Sequence, residues 1–589
     1  MEEKGGISVQ TQNIFPVIKR WLYSDKDIFL REIVSNSCDA VTKLKRLVSL
    51  GSAENDAEYK ITVKADKEAG TLTVSDNGIG MNADEVKRYI NQIALSGALD
   101  FIDKYESKDG NSSGIIGHFG LGFYSIFMVS EKAEIVTRSY DGSPAVHWTC
   151  DENGDYEMTD GEREERGTDV IMHISEDEIG YLDCEKLRSI LKKYCSFMPV
   201  PVFFDDEGEI EQINDTEPLW QKNPGDCTKE QYEKFYKDLT GDFEPPLMYV
   251  HINADFPLNF KGILFFPRVK NEFEPIEPKV SLYYNQVFVS ETIKEVLPNY
   301  LIYVKGVLDC PELPLNVSRS YLQSNTYVSK VSQHISKKVA DRFVKMFNSE
   351  REELEKNYAD LSMFLRYGCM RDEKLYDRVK DTLMFRLTDG KLVTVSEYLE
   401  GKDEGTVYYT AEKETQNYYI SVYNAKGIKV VEALRLVDTQ FMQFLESKNE
   451  KIKFRRIDSG VEALGETGEK DDTLAALFAE ETGKKEEEIK FASLGEDAAP
   501  AVITVSEESR RMQEMMRMYG MGSGGVKNDE ILTVNLDSAA VKRLSELDDA
   551  KRKLAAKHIY MSALLLSRRL TNEETEEFVK LNSELLAAL

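Results

Sequence analysis

The sequence predicts a multidomain α+β protein: an N-terminal α/β sandwich, an α/β middle domain and a mainly helical C-terminal domain. Three observations carry this. With 589 residues and 41% hydrophobic content, the chain can supply about three to four domains with their own cores. Near its start, one long helical run is followed by hairpin-type strands instead of repeated βαβ units. Near its end the strand signals stop, and helical runs at 539–547, 551–567 and 572–586 close the chain.

The elements follow in order. Ser24-Asp25-Lys26-Asp27 reads as a helix start with Ser24 as cap, and Ile33, Ala40, Val41, Leu44 and Val48 form one apolar stripe behind it. Residues 59–65 and 71–75 alternate across Glu68-Ala69-Gly70, a hairpin pattern; further strands are expected at 133–139, 145–150 and 168–174. The acidic, turn-rich stretch 205–215 predicts a first junction, closing a domain over 1–210. A second domain, 216–465, mixes strands (247–252, 262–266, 280–289) with helices (327–347, 360–366, 434–445). The polar stretch 462–472 is the second junction, and the third domain spans 470–589. No internal repeat is evident.

Composition narrows the function classes. The formal net charge of −29 repels phosphates, which argues against a general nucleic-acid binder. The seven cysteines are scattered and never form CxxC, so they read as reduced, packed thiols; the six histidines form no ligand-spaced cluster. Met1-Glu2-Glu3-Lys4 is polar with no apolar run behind it, and no stretch approaches the roughly 18 apolar residues of a membrane span. The expectation is a soluble cytoplasmic protein without membrane or nucleic-acid partners.

Three short motifs carry chemistry. Glu32, Asn36 and Asp39 fall on one helix face, where a carboxylate could polarise a water and an amide oxygen could hold Mg²⁺. Alone, such a face is usually just solvated. Asp76-Asn77-Gly78-Ile79-Gly80-Met81 follows a strand: Asp76 could accept a hydrogen bond from an adenine amino group, while Gly78 and Gly80 let backbone approach a flat base. Alone, it is usually a turn. Gly117-His118-Phe119-Gly120-Leu121-Gly122-Phe123 opens into an apolar run, a loop whose free N–H groups could cradle phosphates. Residues 92–117, with a Gly- and Ser-rich tip at 107–114, suit a lid between base and phosphates. In this order, the three motifs point to an ATP-hydrolysing domain of the GHKL (Bergerat) type, which they resemble.

Phe29-Leu30-Arg31-Glu32-Ile33-Val34-Ser35-Asn36, Asp76–Met81 and Gly120–Ser125 resemble the 90-kDa heat-shock protein chaperone family. Leu219-Trp220-Gln221-Lys222-Asn223-Pro224 and Leu313-Pro314-Leu315-Asn316-Val317-Ser318-Arg319, with Gln323, strengthen the match, which covers the whole chain and is weaker between about 350 and 530. The resemblance implies an ATPase: Glu32 activates water, Asn36 holds Mg²⁺, and Asp39 lines the site. Asp76, Gly80 and Met81 meet adenine with support from Thr168, and Gly117, Gly120, Gly122 and Phe123 meet the phosphates. Arg319 would reach the γ-phosphate from the middle domain, and Gln323 is a further ATP-binding position. It also implies a homodimer that holds non-native client proteins and can cooperate with the 70-kDa heat-shock chaperones. The absence of a Glu/Lys run at 205–215 and of an acidic C-terminal peptide is most similar to the bacterial form.

Four departures from the family pattern stand out. Leu95 occupies the place of a lid cation and Tyr89 that of a polar residue near the ribose. Asn285-Gln286 stand where paired arginines are common, and Ser320 follows Arg319 in place of Glu. Retained but altered turnover is expected.

Met512, Met515, Met516, Met518 and Tyr519 lie in a Met-rich stretch that suits a promiscuous client surface, although such stripes more often pack in cores. Phe441 is a second client-binding candidate. Leu564, Leu565, Leu566, Phe578, Leu581, Leu585 and Leu586 exceed what two helices can bury alone, predicting a four-helix dimer interface. A DNA-acting GHKL enzyme, such as a topoisomerase subunit, shares the first three motifs, but the charge and Asn316–Arg319 argue against it. A nucleotide-independent holdase with a decayed site is the other alternative.

Overall fold

The computed structural model describes residues 25–54, 58–93, 95–105, 114–117, 120–255, 257–268, 279–293, 296–313, 326–461, 465–506, 509 and 530–588. The chain forms two compact units, Met1–Val339 and Ala340–Leu589. The predicted border near 210–216 therefore falls inside the first unit.

Helix α1 (Ile28–Ser49) is set by its apolar residues, but not as a one-sided stripe. Its first three turns are buried all round: Phe29, Leu30, Val34 and Cys38 are inaccessible, and so, almost, are Arg31, Glu32 and Asp39. A helix enclosed on all sides belongs to the interior, so the face carrying the candidate site residues is not a solvated one. The helix starts one turn later than a Ser24 cap implies; Asp27 is the cap residue, and its N–H is held by Asp25 Oδ1 at 3.0 Å.

Eight strands carry α1: β1 (Ile61–Asp66), β2 (Thr71–Asp76), β3 (Ser130–Arg138), β4 (Val146–Asp151), β5 (Tyr156–Asp160), β6 (Gly167–Ile174), β7 (Val202–Asp206) and β8 (Glu209–Gln212). Their order is β5-β4-β3-β6-β2-β1-β7-β8, antiparallel throughout except for β1 beside β7. β2, β4 and β6 alternate buried and part-exposed residues, as strands with one packed face do. The stretch expected as a junction at 205–215 is mostly hairpin: β7 and β8 turn at Glu207 and Gly208, both at positive φ. Its acidic residues protect the exposed edge strand β8 from pairing with other chains.

Between β2 and β3 lie α2 (Ala83–Tyr89), started by an Asn82/Glu85 capping box, and α3 (Gly97–Tyr105). Helix α4 (Cys184–Cys195) follows β6, and α5 (Lys229–Thr240) begins at a Thr228/Gln231 capping box and ends at left-handed Gly241. A second sheet contains β9 (Met248–Ala254), β10 (Phe260–Phe266), β11 (Lys279–Tyr284), β12 (Val287–Ser290) and β13 (Lys305–Asp309), in the order β12-β11-β13-β10-β9. The single strand expected at 280–289 is the hairpin β11–β12, because Asn285 and Gln286 both adopt positive φ at its turn. Phe197, Trp220, Phe235 and Tyr283 pack edge-on or tilted at 4.6–6.2 Å, joining both sheets into one core. That shared core is why the first unit extends past residue 216.

In the second unit, helix Arg351–Arg371 is longer than expected and is followed by a parallel sheet of Val430–Glu432, Gly405–Thr410 and Ile452–Arg456. A four-stranded sheet and the helices Asp549–Ser567 and Asn572–Ala588 complete it. Leu564 and Leu581 are spent on this unit's own core, while Leu565, Val579 and Leu586 remain more than half exposed. No helix among the described residues is long and apolar enough to cross a membrane.

Candidate nucleotide site

A cavity of about 360 Å³ opens between α1, the ends of β2 and β6, helices α2 and α3 and the Gly120–Phe123 loop. Glu32, Asn36, Asp39, Asp76, Gly80, Met81, Gly117, Gly120, Gly122, Phe123 and Thr168 all line it, as do Tyr89 and Leu95. Residues up to 136 positions apart in sequence (Glu32 to Thr168) thus meet in one pocket.

One end is suited to a purine. Asp76 terminates β2, and its Oδ1 accepts the Gly78 N–H at 2.9 Å. Burial pushes its carboxyl up to about 7, against the Gly78 N–H, the Arg163 charge and the Ser37 hydroxyl, which favour ionisation; Asp169 opposes it. Thr168 sits directly across from Asp76 in the β2–β6 register. Its hydroxyl meets Thr137 Oγ1 at 2.9 Å, and Thr137 also accepts the Met81 N–H and donates to the Gly167 carbonyl, each at 3.0 Å. Thr137 is fully engaged, which leaves the Thr168 oxygen available as an acceptor. Gly80 is required here: at φ +64 a Cβ would lie 1.8 Å from the Arg138 carbonyl oxygen.

The other end is suited to phosphates and a water. Glu32 Oε1 accepts from Arg31 Nε (3.1 Å) and Nη2 (2.7 Å), a buried pair. Its second oxygen faces Gly122, where a Cβ would approach Oε2 to 2.5 Å. Only glycine leaves that carboxylate in place. Asn36 is half-buried, its Oδ1 faces Gly117 beside Asp39 Oδ2, and it makes no hydrogen bond among the described residues. Asp39 takes the Ile116 and Gly117 N–H groups, one on each oxygen and both at 2.7 Å. The Gly117 N–H, expected to face phosphate, is therefore committed to Asp39. After it, Gly122–Met128 forms a 3₁₀ helix, with Phe123 edge-on to Trp148 at 5.8 Å.

The lid region is tied at both ends. Ser96 Oγ donates to the Gly117 carbonyl at 3.1 Å, and the Leu95 backbone lies against Gly120. Helix α3 buries Ala98 and Phe101 against Leu47 and Ile115. Tyr89 is not a ribose-facing polar residue alone: its hydroxyl donates to Asp100 at 2.9 Å, and Arg88 pairs with the same carboxylate at 2.6 Å. Lys43, on the cavity wall, has its amine pulled down by burial although Asp39, Glu85 and Asp100 raise it.

Arg31, Ser37, Lys43, Thr137 and Arg163 were not singled out from sequence. Lys43 follows Asn36 by two helical turns, a spacing that could have revealed it; Thr137 and Arg163 carry no local signal. Arg319, Gln323, Met512, Met515, Met516, Met518 and Tyr519 lie outside the described residues. Phe441 requires correction. It is inaccessible, stacked between Phe385 (6.3 Å) and Phe444 (5.9 Å) under the Arg366 guanidinium, and so packs the core instead of presenting a surface.

Known proteins resemble this chain along nearly its whole length. The family described as "Histidine kinase-, DNA gyrase B-, and HSP90-like ATPase" matches residues 25–180, and the Hsp90 protein family matches 204–588. Chaperone protein HtpG of Bacteroides fragilis is 41% identical, covering 94% of this chain and 86% of its own. The Porphyromonas gingivalis protein of that name is 41% identical over 92% and 84%, and that of Idiomarina loihiensis 30% over 100% and 99%. With a GHKL-type ATPase domain followed by the Hsp90 region, the chain belongs to the Hsp90 family of ATP-dependent molecular chaperones.

Proposed function

We propose that the cavity binds ATP with adenine against Asp76 and Thr168 and the phosphates toward Glu32 and Asn36, and that Glu32 activates the attacking water. The observation that supports this most is the separation of roles within one pocket. A buried carboxylate beside an available hydroxyl oxygen sits at one end, and a buried carboxylate with one oxygen facing a glycine loop at the other. Arg31 holds Glu32 Oε1, and Oε2, which faces the Gly122 loop, would receive a proton from water. Asn36 offers Mg²⁺ a hard oxygen not engaged elsewhere among the described residues, and the ion would neutralise phosphate charge beside Asp39. Arg319 is proposed to complete the site from a sequence position almost 300 residues after Glu32, so hydrolysis would await a closed conformation.

The chain would act as a cytoplasmic homodimer on non-native proteins, with cooperation from the 70-kDa heat-shock system. Exposed Leu565, Val579 and Leu586 on the last two helices support self-association. The Met512–Tyr519 stretch remains the candidate client surface. The test is nucleotide trapping: Glu32→Ala should bind ATP and fail to hydrolyse it. A variant that hydrolyses at the wild-type rate would refute the assignment of Glu32.

A further inference from the structure

Outside the cavity lining, the loop between β5 and β6 folds Arg163 back onto the end of β2. The guanidinium is fixed by three contacts. Nε donates to the Glu165 carbonyl at 3.1 Å, Nη2 donates to the Asp76 carbonyl at 3.0 Å, and Nη1 pairs with the Asp169 carboxylate. The side chain is only 16% exposed. Gly167 makes the approach possible: at φ +121, a Cβ there would lie 2.1 Å from the Asp76 carbonyl oxygen and 2.9 Å from Arg163 Nη2. Arginine locked in this way holds a fixed charge in a fixed orientation. The family pattern in Asp76–Met81 and Gly167-Thr168 says nothing of it, because Arg163 lies 87 residues from Asp76 in sequence.

We propose that Arg163 is a positioning residue of the adenine subsite: it fixes the backbone of Asp76, and its charge keeps the Asp76 carboxylate ready to accept the exocyclic amino group of adenine. The inference rests on the reading of Asp76 as the adenine-binding residue. Among the described residues, these groups face Asp76. Ser37 and Cys38 come from α1, the Gly78 N–H from its own turn, Asp169 from β6 and Arg163 from the β5–β6 loop. Burial drives the carboxyl toward its neutral form, and Arg163 is the one cation among these groups, while Asp169 acts against it. Arg163 and Asp169 should therefore tune nucleotide binding in opposite directions.

The experiment measures Mg-ATP affinity of the full-length protein by calorimetry from pH 5.5 to 9, where the magnesium-complexed phosphates hold their charge. Wild type should bind more tightly as pH rises through about 7. Arg163→Gln should move that midpoint up, weakening binding about fivefold at pH 7 for a one-unit shift and recovering by pH 9. Arg163→Lys should restore most of the loss, and Asp169→Asn should move the midpoint down. A merely structural arginine would weaken binding equally at every pH, and that result would overturn the proposal. So would an Asp169→Asn midpoint that stays put or rises, an outcome that does not depend on Arg163→Gln folding. Asp76→Asn separates the two levels of inference. If it binds Mg-ATP as wild type does, the adenine reading fails; if it loses ATP while the Arg163 and Asp169 variants keep the wild-type profile, only the Arg163 proposal fails.

Discussion

Replacing Asp76 with Asn should make the nucleotide-free protein more stable, and increasingly so as pH rises. The carboxyl is inaccessible and its folded-state value is raised from 3.8 to about 7. Between those limits the folded state keeps a proton that the unfolded chain releases, so wild-type stability falls as pH rises through this window. Three pH units correspond to about 4 kcal/mol, complete above pH 7. Asn carries no such term. Its oxygen can still accept the Gly78 N–H, and the burial of its amide nitrogen adds a penalty of about 1–3 kcal/mol that does not vary with pH. The difference between variant and wild type should thus grow by about 2.7 kcal/mol from pH 5 to pH 8, whatever its absolute size. Urea unfolding followed by tryptophan fluorescence reads this out, because the buried Trp148 and Trp220 lie in the first unit. A difference that is flat across that range would refute the claim that burial, unrelieved by its hydrogen bonds, sets the state of Asp76.

Further outcomes follow from the same geometry. Gly122→Ala should displace Glu32 Oε2, 2.5 Å from the new Cβ, and lower kcat by about 100-fold; steady-state turnover checks it, and a wild-type kcat would refute it. Phe441→Ala should destabilise the second unit by about 3–5 kcal/mol, visible as a lowered transition in calorimetry. An unchanged transition would return Phe441 to the surface. Leu565→Glu with Val579→Glu should yield monomer by light scattering, and a persisting dimer would contradict the helical interface. Leu95→Lys should tighten Mg-ATP binding by adding a cation to the cavity wall; an unchanged affinity would remove Leu95 as a cause of altered turnover.

The pocket was legible in sequence to the extent that its parts are local. Glu32, Asn36 and Asp39 share a helix face by spacing, and Asp76 follows a recognisable strand. What spacing could not show is how these groups are occupied. The two oxygens of Asp39 hold the backbone at Ile116 and Gly117, and Glu32 is paired with its neighbour Arg31. The amphipathic pattern of α1 suggested a wet face, because local periodicity cannot see that sheet, loop and lid region enclose its first turns. The acidic stretch at 205–215 read as a domain junction, and an exposed edge hairpin carries the same polar, Gly-containing composition. Phe441 was misjudged for the converse reason: besides Phe444 on its own helix, Phe385 and the Arg366 guanidinium cover it, and both lie far away in sequence. Thr137 and Arg163 reach the site only through strand register and loop return, which the sequence does not announce.

We propose that Glu32 performs the chemistry and that Arg319 completes the pocket. Single-turnover hydrolysis of Mg-ATP by wild type, Glu32→Ala and Arg319→Ala, with binding measured in parallel, tests it most directly. Both variants should bind ATP and hydrolyse it at least about 100-fold more slowly, as expected for loss of a general base or a charge-stabilising arginine. Hydrolysis by either variant at the wild-type rate would contradict the account.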